Sequence, residues 1–294
     1  MMLVVGGTGT LGQEIVKRLV GGGSKVRVLT RDPNRARGLP EAVEVAVGDL
    51  RDTASVSTAL RGCDAVVAAA HGFIGPGKSS PEAVDRDGNR ALIASSVAAG
   101  VSRFVLVSVH GARPDHPMSL VRAKHSAEEQ LRASGLPFTI VRATPFMETW
   151  LSIIGGSLKG SGHALVFGPG TNPINFVSVR DVAAAVVASL ATTPANETLE
   201  LSGPENLGLL ALARQIIAAS GHDARIKHVP LAALRLMSVL GCLFAPAFAR
   251  QAQAAVLMNT TDMSVSHEAA TRARLAGVPA TALIDVLAHA SNSG

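Results

Sequence analysis

The first half of the chain alternates short apolar runs with stretches of helical periodicity, and this alternation restricts the possible folds more than any other feature. Runs that are apolar throughout are typical of strands that lie in a parallel sheet and are buried on both faces. Such strands are predicted at residues 3–5, 26–29, 43–47, 65–69, 104–107 and 138–141. Because helical segments separate them, we expect an α/β fold with a doubly wound parallel sheet.

The helical segments are recognised by the spacing of their apolar residues. Leu11, Ile15 and Leu19 recur every four residues, which gives the first helix an apolar stripe that can pack on the sheet. Later helices are predicted at residues 83–99 and 119–133.

A glycine-rich turn, GGTGTLG, lies between the first predicted strand and the first predicted helix. Glycines at this position allow a tight turn, a close approach of the backbone to a pyrophosphate, and close packing of the helix on the strand. The N–H groups and the dipole at the helix start attract the same anion. A turn without a ligand is the alternative, but the order of strand, turn and helix favours a dinucleotide and a Rossmann-type fold. The residues expected to contact the dinucleotide are Gly6, Gly7, Thr8, Gly9, Thr10, Leu11 and Gly12.

The end of the second predicted strand distinguishes between the two nicotinamide cofactors. A site that prefers NAD(H) places Asp or Glu there to bind the ribose 2′-hydroxyl. This chain has Thr30 and Arg31 instead, with Arg35 one helical turn further on. Because a guanidinium pairs with a 2′-phosphate through its planar fork, we expect NADP(H) in preference to NAD(H). Asp32 either reaches the ribose or caps the next helix.

Two further segments are expected to border the cofactor. Asp49, followed by Leu50, comes after the third predicted strand and is placed to reach the adenine amino group. Ala69 and Ala70 end the fourth strand, where small side chains leave room for the cofactor. Each pair also has a structural interpretation, since Asp49 can cap the following helix and the alanines can belong to the core.

The second half of the chain is less regular and rich in glycine. There the segment NFVSV predicts a strand, and the segment DVAAAVVASL predicts a helix with Asp181 as its N-cap. We expect residues 1–143 to form a nucleotide-binding core. Residues 144–294 are expected to form a smaller, partly interleaved region that covers a substrate cleft and returns some strands and helices to the core.

Composition narrows the classes of function. The chain has 294 residues, of which 47% are hydrophobic and 17% charged, as in a globular protein with a sizeable core. An aromatic content of 3% disfavours a surface that stacks nucleic-acid bases, and a net charge of +5 from scattered arginines suits a phosphorylated small molecule. Cys63 and Cys242 lack metal-like spacing. With no signal-peptide pattern, we expect a cytoplasmic protein without a metal site, a nucleic-acid partner or an integral membrane segment.

Six segments carry a common set of motifs in a fixed order. They are GGTGTLG at residue 6, TRDP at 30, GDL at 48, FVLVSVHGA at 104, AKHSAEEQLRASGLPFTIVRATPFME at 123 and FVSVRDVAAAV at 176. Together they resemble the atypical short-chain dehydrogenase/reductase superfamily, and within it the NmrA-like branch with isoflavone-reductase-like and triphenylmethane-reductase-like enzymes. The resemblance covers about the first two-thirds of the chain.

The resemblance implies roles for residues around the fifth predicted strand. It places Ser108 at the substrate-binding serine, Lys124 at the lysine of a Tyr-x-x-x-Lys pair, and Pro145 at the nicotinamide pocket. The tyrosine position is Leu120, and the chain contains no tyrosine at all. A phenol therefore cannot donate a proton. Atypical members of the family that lack the tyrosine are thought to use lysine, another side chain or the substrate itself.

The proton must then come from another group. Lys124 either stabilises an oxyanion as hydride arrives or is an exposed helix lysine paired with Glu128. His71 and His110 follow the fourth and fifth predicted strands, at the edge where ligands of parallel sheets bind, and each is a candidate general acid.

The sequence thus predicts an NADP(H)-dependent oxidoreductase that transfers hydride to a small, fairly apolar carbonyl, enone or quinone-like acceptor. The alternative is a non-catalytic NADP(H)-binding redox sensor of the NmrA-like type, in which Leu120 marks a lost activity. Residues 231–258 are apolar with arginines among them, and predict a buried helix pair, a contact between identical subunits or a membrane-surface element. The expected partner is a small-molecule substrate, and a second copy of the chain is a further partner if residues 231–258 form the contact between identical subunits.

Overall fold

A computed structural model of the chain describes residues 1–75, 77–192, 196–221, 223–266 and 278–292. The chain divides into two compact units. Unit 1 consists of Met1–Ala143 and Arg180–Leu201, with a short piece that ends at Pro279. Unit 2 consists of Thr144–Val179, Ser202–Ala269 and Ala280–Gly294. The glycine turn therefore belongs to unit 1.

Unit 1 is built on a seven-stranded sheet in which all neighbouring strands are parallel. Its strands are β1 (Met2–Val5), β2 (Val26–Thr30), β3 (Glu44–Val47), β4 (Ala65–Ala68), β5 (Arg103–Val109), β6 (Phe138–Ala143) and β9 (Glu197–Leu201). Their spatial order is β3-β2-β1-β4-β5-β6-β9, which is the order of the Rossmann fold. The expected α/β class is confirmed.

The two outer strands differ from the sequence prediction. β3 lies at one edge of the sheet and is largely exposed, including Val47. The prediction that this strand is buried on both faces was therefore wrong. β9 lies at the other edge and was not predicted, because its sequence ETLEL alternates polar and apolar residues. Edge strands face solvent, and they therefore lack the continuous apolar run that identifies the inner strands.

The helices of unit 1 are α1 (Thr10–Gly21), α2 (Thr53–Leu60), α3 (Asn89–Ala98), α4 (Ser119–Ala133) and α6 (Val179–Ala191). The predicted stripe of α1 is confirmed, since Leu11, Ile15 and Leu19 are buried. The predicted helix at residues 119–133 is confirmed at both ends by α4. Asp181 is not an N-cap, because α6 begins two residues earlier and Asp181 is buried in its first turn.

The predicted helix at residues 83–99 consists of two different segments. Glu82–Gly88 is π-helical, and only then does the chain continue as α3. A π-helix closes its hydrogen bonds over one residue more than an α-helix, and such segments are frequent at functional sites.

The core of unit 1 joins the sheet to the helices on one of its faces. Leu3, Phe104 and Ile140 from the strands pack with Leu92 and Leu131 from the helices, and all five side chains are fully buried. Burial of each such side chain contributes about 1.5–3 kcal/mol. The strand order reverses between β1 and β4, and ligands of open α/β sheets bind beyond the carboxyl ends of the strands at this point.

Unit 2 contains two small sheets and the remaining helices. Its elements are α5 (Met147–Ser161), β7 (His163–Phe167), β8 (Ile174–Phe176), β10 (Glu205–Leu207), α7 (Leu209–Ser220), β11 (Arg225–Val229), α8 (Leu231–Phe244), α9 (Pro246–Thr260) and α10 (Leu283–Asn292). β8 pairs with β10, and β7 pairs with β11. The predicted strand NFVSV ends at Phe176, before α6 begins. Within the described ranges, no helix has both the length and the apolarity that crossing a membrane requires.

Candidate functional site

The glycine turn connects β1 to α1 at the point where the strand order reverses. Gly6 has a φ of +87°, and a Cβ on it would lie 2.6 Å from the backbone nitrogen of Ala70. A Cβ on Gly12 would overlap the carbonyl oxygen of Gly6, and one on Gly7 would lie 2.7 Å from the side chain of Val28. These three glycines are therefore required by the fold itself.

Gly9 differs from the other three glycines. Its backbone is extended, with a φ of −85°, and the nearest atom to a Cβ would be the carbonyl oxygen of Gly6 at an ordinary 3.5 Å. Gly9 is the N-cap of α1, and no side chain in the described part of the chain caps that helix. A small residue in front of uncapped N–H groups is the arrangement that a pyrophosphate needs. The turn therefore fits the predicted dinucleotide.

The other residues of the turn occupy different environments. Thr8 is partly buried, and its carbonyl accepts a hydrogen bond from Gln13 Nε2 at 3.2 Å. Thr10 is exposed at the first position of α1, whereas Leu11 is buried beneath the turn. Thr10 is thus open to a ligand, and Leu11 supports the turn from the core.

The end of β2 carries exposed basic side chains. Arg31 is exposed, and its Nη1 donates to Ser79 Oγ at 3.0 Å. Arg35 is exposed on the 3₁₀ turn that follows. Asp32 caps this turn by accepting from Asn34 N at 2.9 Å, so the structure shows the capping alternative.

Asp49 is held by its own loop and does not cap α2. Its Oδ1 accepts from Arg51 N at 3.0 Å and from Arg51 Nε at 2.8 Å, and these hydrogen bonds lower the pKa of Asp49. Asp52 caps α2 instead, with bonds from the first backbone N–H groups of that helix. Leu50 is buried, and a Cβ on Gly88 would lie 3.0 Å from its side chain. Arg51 therefore holds the Asp49 carboxylate in one orientation, next to the buried Leu50.

Lys124 lies at the centre of a buried polar cluster. Its Nζ donates to the carbonyl oxygens of Ala70 at 3.1 Å and Val107 at 2.9 Å, at the ends of β4 and β5. Asp85 Oδ1 forms a salt bridge with Nζ at 2.9 Å, although the geometry is not that of a hydrogen bond. Both side chains are buried. Asp85 Oδ2 accepts from Gly72 N at 2.7 Å. Three oxygens therefore surround the ammonium group.

Ser108 belongs to a second cluster, centred on Glu128. Ser108 Oγ donates to Glu128 Oε1 at 2.5 Å. Glu128 is fully buried and also accepts from Arg142 through Nε at 2.9 Å and Nη2 at 2.7 Å, and from Arg132 at 3.2 Å. The alternative of an exposed Lys124 paired with Glu128 is therefore wrong, because the two side chains have separate partners.

His110 joins this cluster from the end of β5. Its Nδ1 lies 2.9 Å from Glu200 Oε2, and Glu200 Oε1 accepts from Arg142 Nη1 at 3.0 Å. Burial raises the pKa of Glu200, but the hydrogen bonds from His110 and Arg142 outweigh it, and the net pKa is lowered. The side chains of His110 and Glu200 are 45% and 44% exposed. The cluster thus connects the buried Ser108 to a histidine that solvent reaches.

His71 lies at the end of β4, beside the first cluster. Its side chain is exposed to solvent. Desolvation lowers the pKa of His71, with Asp85 raising it and Lys124 lowering it by smaller amounts. Nδ1 accepts from Phe73 N at 3.4 Å. The neutral ring therefore carries its proton on Nε2.

The remaining predicted residues lie apart from these clusters. Leu120 is partly buried on α4, one turn before Lys124, so an aliphatic side chain occupies the tyrosine position. Ala69 continues the β4 alignment, since its N–H donates to Val5 O at 2.9 Å. Pro145 belongs to unit 2, where its carbonyl accepts from Val177 N at 3.0 Å. A role for Pro145 at the nicotinamide stays a prediction.

Sequence reasoning missed Asp85 and Glu200. Asp85 had a usable signal, because the apolar positions Leu92 and Ile93, extended backwards by one and two turns, place Asn89 and Asp85 on the buried side of the helix. Both residues are indeed buried, and Asn89 Nδ2 donates to the Asp85 carbonyl at 2.8 Å. Glu200 had no such signal, because its strand was not predicted.

Comparison with known proteins supports the assignment to a nucleotide-binding family that the motifs indicate. The family model described as NAD(P)H-binding matches residues 6–193. NAD(P)H azoreductase from Xenophilus azovorans is 32% identical over 235 residues, which cover 79% of this chain and 78% of the relative. Photosystem II assembly factor Ycf39 from Synechocystis is 30% identical over 238 residues, which cover 80% of this chain and 72% of the relative.

A solved structure has a similar fold. The NADPH-dependent quinone oxidoreductase of Escherichia coli, solved with NADPH, has a TM-score of 0.76 at 22% identity, and the alignment covers 99% of this chain and 100% of that one. The family match begins in the glycine turn and extends over more than half of the chain. The chain therefore belongs to the NAD(P)H-binding family, in the atypical short-chain dehydrogenase/reductase, NmrA-like branch that its motifs resemble.

Proposed function

We propose that this chain uses NADPH to reduce a small, fairly apolar acceptor, a carbonyl, an enone or a quinone-like ring. Its general class, an NAD(P)H-dependent oxidoreductase, follows from its family and from relatives such as NAD(P)H azoreductase. The observation that carries the proposal is Gly9, which is open in front of α1 at the reversal point of the sheet although the fold does not require glycine there.

The cofactor would be held at both ends of the crevice. The glycine turn and the first N–H groups of α1 would bind the pyrophosphate, and Asp49 would accept a hydrogen bond from the adenine amino group. Arg31 and Arg35 are the residues that would bind a 2′-phosphate, since an anionic phosphate is a stronger acceptor for a guanidinium than the uncharged hydroxyl of Ser79, which Arg31 contacts. NADP(H) is therefore favoured over NAD(H). When bound, the cofactor supplies a hydride.

His110 is the favoured proton donor. The lowered pKa of His71 keeps that ring neutral at neutral pH, and a neutral imidazole is a poor acid. His110 instead has a carboxylate partner, Glu200, whose Oε2 lies 2.9 Å from Nδ1 and fixes the orientation of the partly exposed ring. Because Nδ1 is engaged by Glu200, the proton passed to an acceptor would come from Nε2.

Lys124 would act as a positioning residue. Its ammonium is surrounded by two carbonyl oxygens and Asp85, so it fixes the ends of β4 and β5 and places a buried positive charge beside His71. Ser108 is likewise committed to Glu128 and would order the strand end that carries His110. Neither side chain is required to give up a proton.

The missing tyrosine restricts the acceptor. A simple ketone needs a proton donor held at its oxygen as the hydride arrives, whereas a conjugated acceptor spreads the incoming charge over several atoms and depends less on such a donor. The azoreductase and the quinone oxidoreductase to which this chain is similar are named for conjugated acceptors of this kind. An extended π-system is therefore the preferred substrate class.

The first test measures NADPH oxidation with a panel of quinones, enones and azo dyes. We expect turnover with at least one of them. Gly9→Ala should weaken NADPH binding by about tenfold or more, because a methyl group displaces the pyrophosphate from the N–H groups. Gly21→Ala, at the other end of α1 with open space around it, is the matched control and should leave binding unchanged. Tight NADPH binding without any turnover would overturn the reductase.

The cofactor preference has its own test. Arg31→Ala should weaken NADPH binding by about tenfold and leave NADH binding unchanged, because only NADPH offers the 2′-phosphate. Lys25→Ala removes an exposed positive charge immediately before β2, at the opposite end of the strand, and is the control. Equal losses for both cofactors would contradict the assignment of Arg31.

A cofactor-binding regulator is the second candidate function. It is favoured by Leu120 at the tyrosine position and by the similarity to a protein named as a photosystem II assembly factor. This candidate predicts NADPH binding without turnover, together with a partner whose affinity changes when NADPH is exchanged for NADP⁺. Titration of a captured partner with each cofactor form distinguishes it from the reductase.

A further inference from the structure

The helices α8 and α9 form a hairpin whose outward side is apolar. Its helices approach closely, since a Cβ on Gly241 would lie 3.2 Å from the Cβ of Ala249. α8 also carries Leu236, Leu240 and Phe244, which are spaced by four residues and therefore lie along one face. These side chains are exposed. An ordinary surface helix turns a polar face to solvent, whereas α8 turns an apolar face outward.

The exposure on this face is large. Phe244 is 88% exposed, Val239 is 69% exposed, and Phe248 at the start of α9 is half exposed. Single exposed apolar residues are normal on a protein surface, but a contiguous group of this kind marks an interaction site. We call the exposed group the α8 face; its residues are Leu236, Val239, Leu240, Phe244 and Phe248.

The charges around the α8 face have one sign. From residue 224 to residue 261 the chain contains four basic residues and no acidic residue. Arg225 and Lys227 lie exposed on β11, immediately before α8, and Arg235 is exposed on α8 itself. The segment that carries the α8 face therefore has only basic charges, which are complementary to a surface that is apolar inside and anionic at its rim.

This charge pattern decides between two occupants. In a symmetric dimer the same patch lies on both subunits, so a patch with only positive charges would bring arginine close to arginine. An anionic lipid surface instead pairs each cation with a phosphate and accepts the apolar side chains below it. We propose that the α8 face binds the surface of an anionic lipid membrane, with Phe244 and Val239 entering the headgroup region. The proposal is independent of the reductase activity.

The test uses the full chain and flotation with two kinds of vesicle. We expect binding to vesicles of equal parts phosphatidylglycerol and phosphatidylcholine, and much weaker binding to pure phosphatidylcholine. The double variant Val239→Asn and Phe244→Ser should lower partitioning by at least about tenfold. Arg235→Gln should lower it by about fivefold on the anionic vesicles alone. Ile284→Asn on α10 is the matched control, since Ile284 is 66% exposed, and it should change nothing.

A second readout reports where the hairpin lies. Cys242 is exposed on α8, whereas Cys63 is buried and burial raises the pKa of its thiol, so a thiol-reactive polarity-sensitive dye labels Cys242 selectively. The dye emission should shift to the blue with anionic vesicles. Unchanged thermal unfolding and NADPH affinity show that the variants fold.

Two outcomes would overturn the proposal. The first is equal vesicle binding by the wild type and the double variant, because the α8 face would then not be the contact. The second is a dimer in solution, measured by light scattering, that the double variant dissociates while no vesicle binds. That result would assign the α8 face to a second copy of the chain.

Discussion

The two units of the molecule depart from the usual distribution of polarity in opposite ways. Unit 1 buries ionisable side chains, among them Asp85, Lys124 and Glu128. In the described part of unit 2 the fully buried polar residues are uncharged, but large apolar side chains such as Phe244 and Val239 are exposed. Buried charge and exposed apolar area both cost free energy, so each is expected to mark a place where something binds or reacts.

The buried charges of unit 1 and the exposed apolar side chains of unit 2 indicate where each unit is suited to bind a ligand. The buried ions of unit 1 stand at the carboxyl ends of β4, β5 and β6, and they order the strand ends that carry His71 and His110. Most of the large exposed apolar residues in the described part of unit 2 lie on the α8–α9 hairpin. Unit 1 is therefore suited to chemistry on a small molecule, and unit 2 to a broad surface contact.

The largest effect is expected at the ion pair of unit 1. Asp85→Asn leaves the buried Lys124 without an anion, and should lower the free energy of unfolding by about 3–5 kcal/mol, measured by urea denaturation. Asp87→Asn on the same π-helical segment removes only a partly exposed pair with Arg86 and Arg90, and should cost less than about 1 kcal/mol. Similar losses of unfolding free energy for both variants would show that burial does not make the Asp85–Lys124 pair more important for stability than the exposed pair.

The second prediction compares adjacent residues of α4. Glu128→Gln disrupts the hydrogen bonds to Arg142 and Ser108, and should lower the free energy of unfolding by about 2–3 kcal/mol. Glu129→Gln breaks only an exposed pair with Arg132 and should cost less than about 1 kcal/mol. Urea denaturation of both variants measures the difference. If Glu129 proves the more costly, burial is not what gives Glu128 its importance.

The third prediction concerns pH at the outer end of the Glu128 cluster. The pKa of Glu200 is lowered in the folded state, so its contribution to stability is present above the unfolded-state pKa of about 4.3 and is lost as the pH falls through the folded-state value. Glu200→Gln should cost at most about 1 kcal/mol at pH 7, because the pair is nearly half exposed. The difference between wild type and variant should shrink as the pH is lowered below about 4.3. A difference that grows on acidification would contradict the sign.

The smallest effect is expected on the α8 face of unit 2. Phe244→Ser should change the free energy of unfolding by no more than about 0.5 kcal/mol, because the ring makes little contact inside the protein. Phe104→Ala in the core of unit 1 is the contrast and should cost about 3–5 kcal/mol. Both values come from the same chemical denaturation series. A large loss at Phe244 would mean that the face is covered by the protein itself.

The sequence predicted the parts of the fold that repeat a simple pattern. The inner strands, α1 and α4 were found because their buried residues follow a continuous or four-residue spacing. β9 was missed because an edge strand alternates, and the end of NFVSV was misassigned because its valines continue into α6. Local pattern does not distinguish these cases; only the packing of the whole sheet does.

The candidate site was predictable where one segment of the chain makes it. The glycine turn is local, and its residues lie together as the motif requires. The partners of Lys124 and His110 come from distant segments, since Asp85 and Glu200 meet them only after the sheet has formed. Resemblance identified Lys124, and helical periodicity could have marked Asp85 as buried, but neither signal says that the two side chains face each other.

The π-helical segment at Glu82–Gly88 sets a limit on how the chain can vary in length. Each residue of an ordinary helix turns the chain by about 100°, so removing one residue here would rotate Asp85 away from Lys124 rather than shorten a loop. Lys124 would then be buried without its counter-charge. A single-residue deletion in this segment is therefore expected to be less tolerable than most substitutions within it, and the length of the segment is itself part of the site.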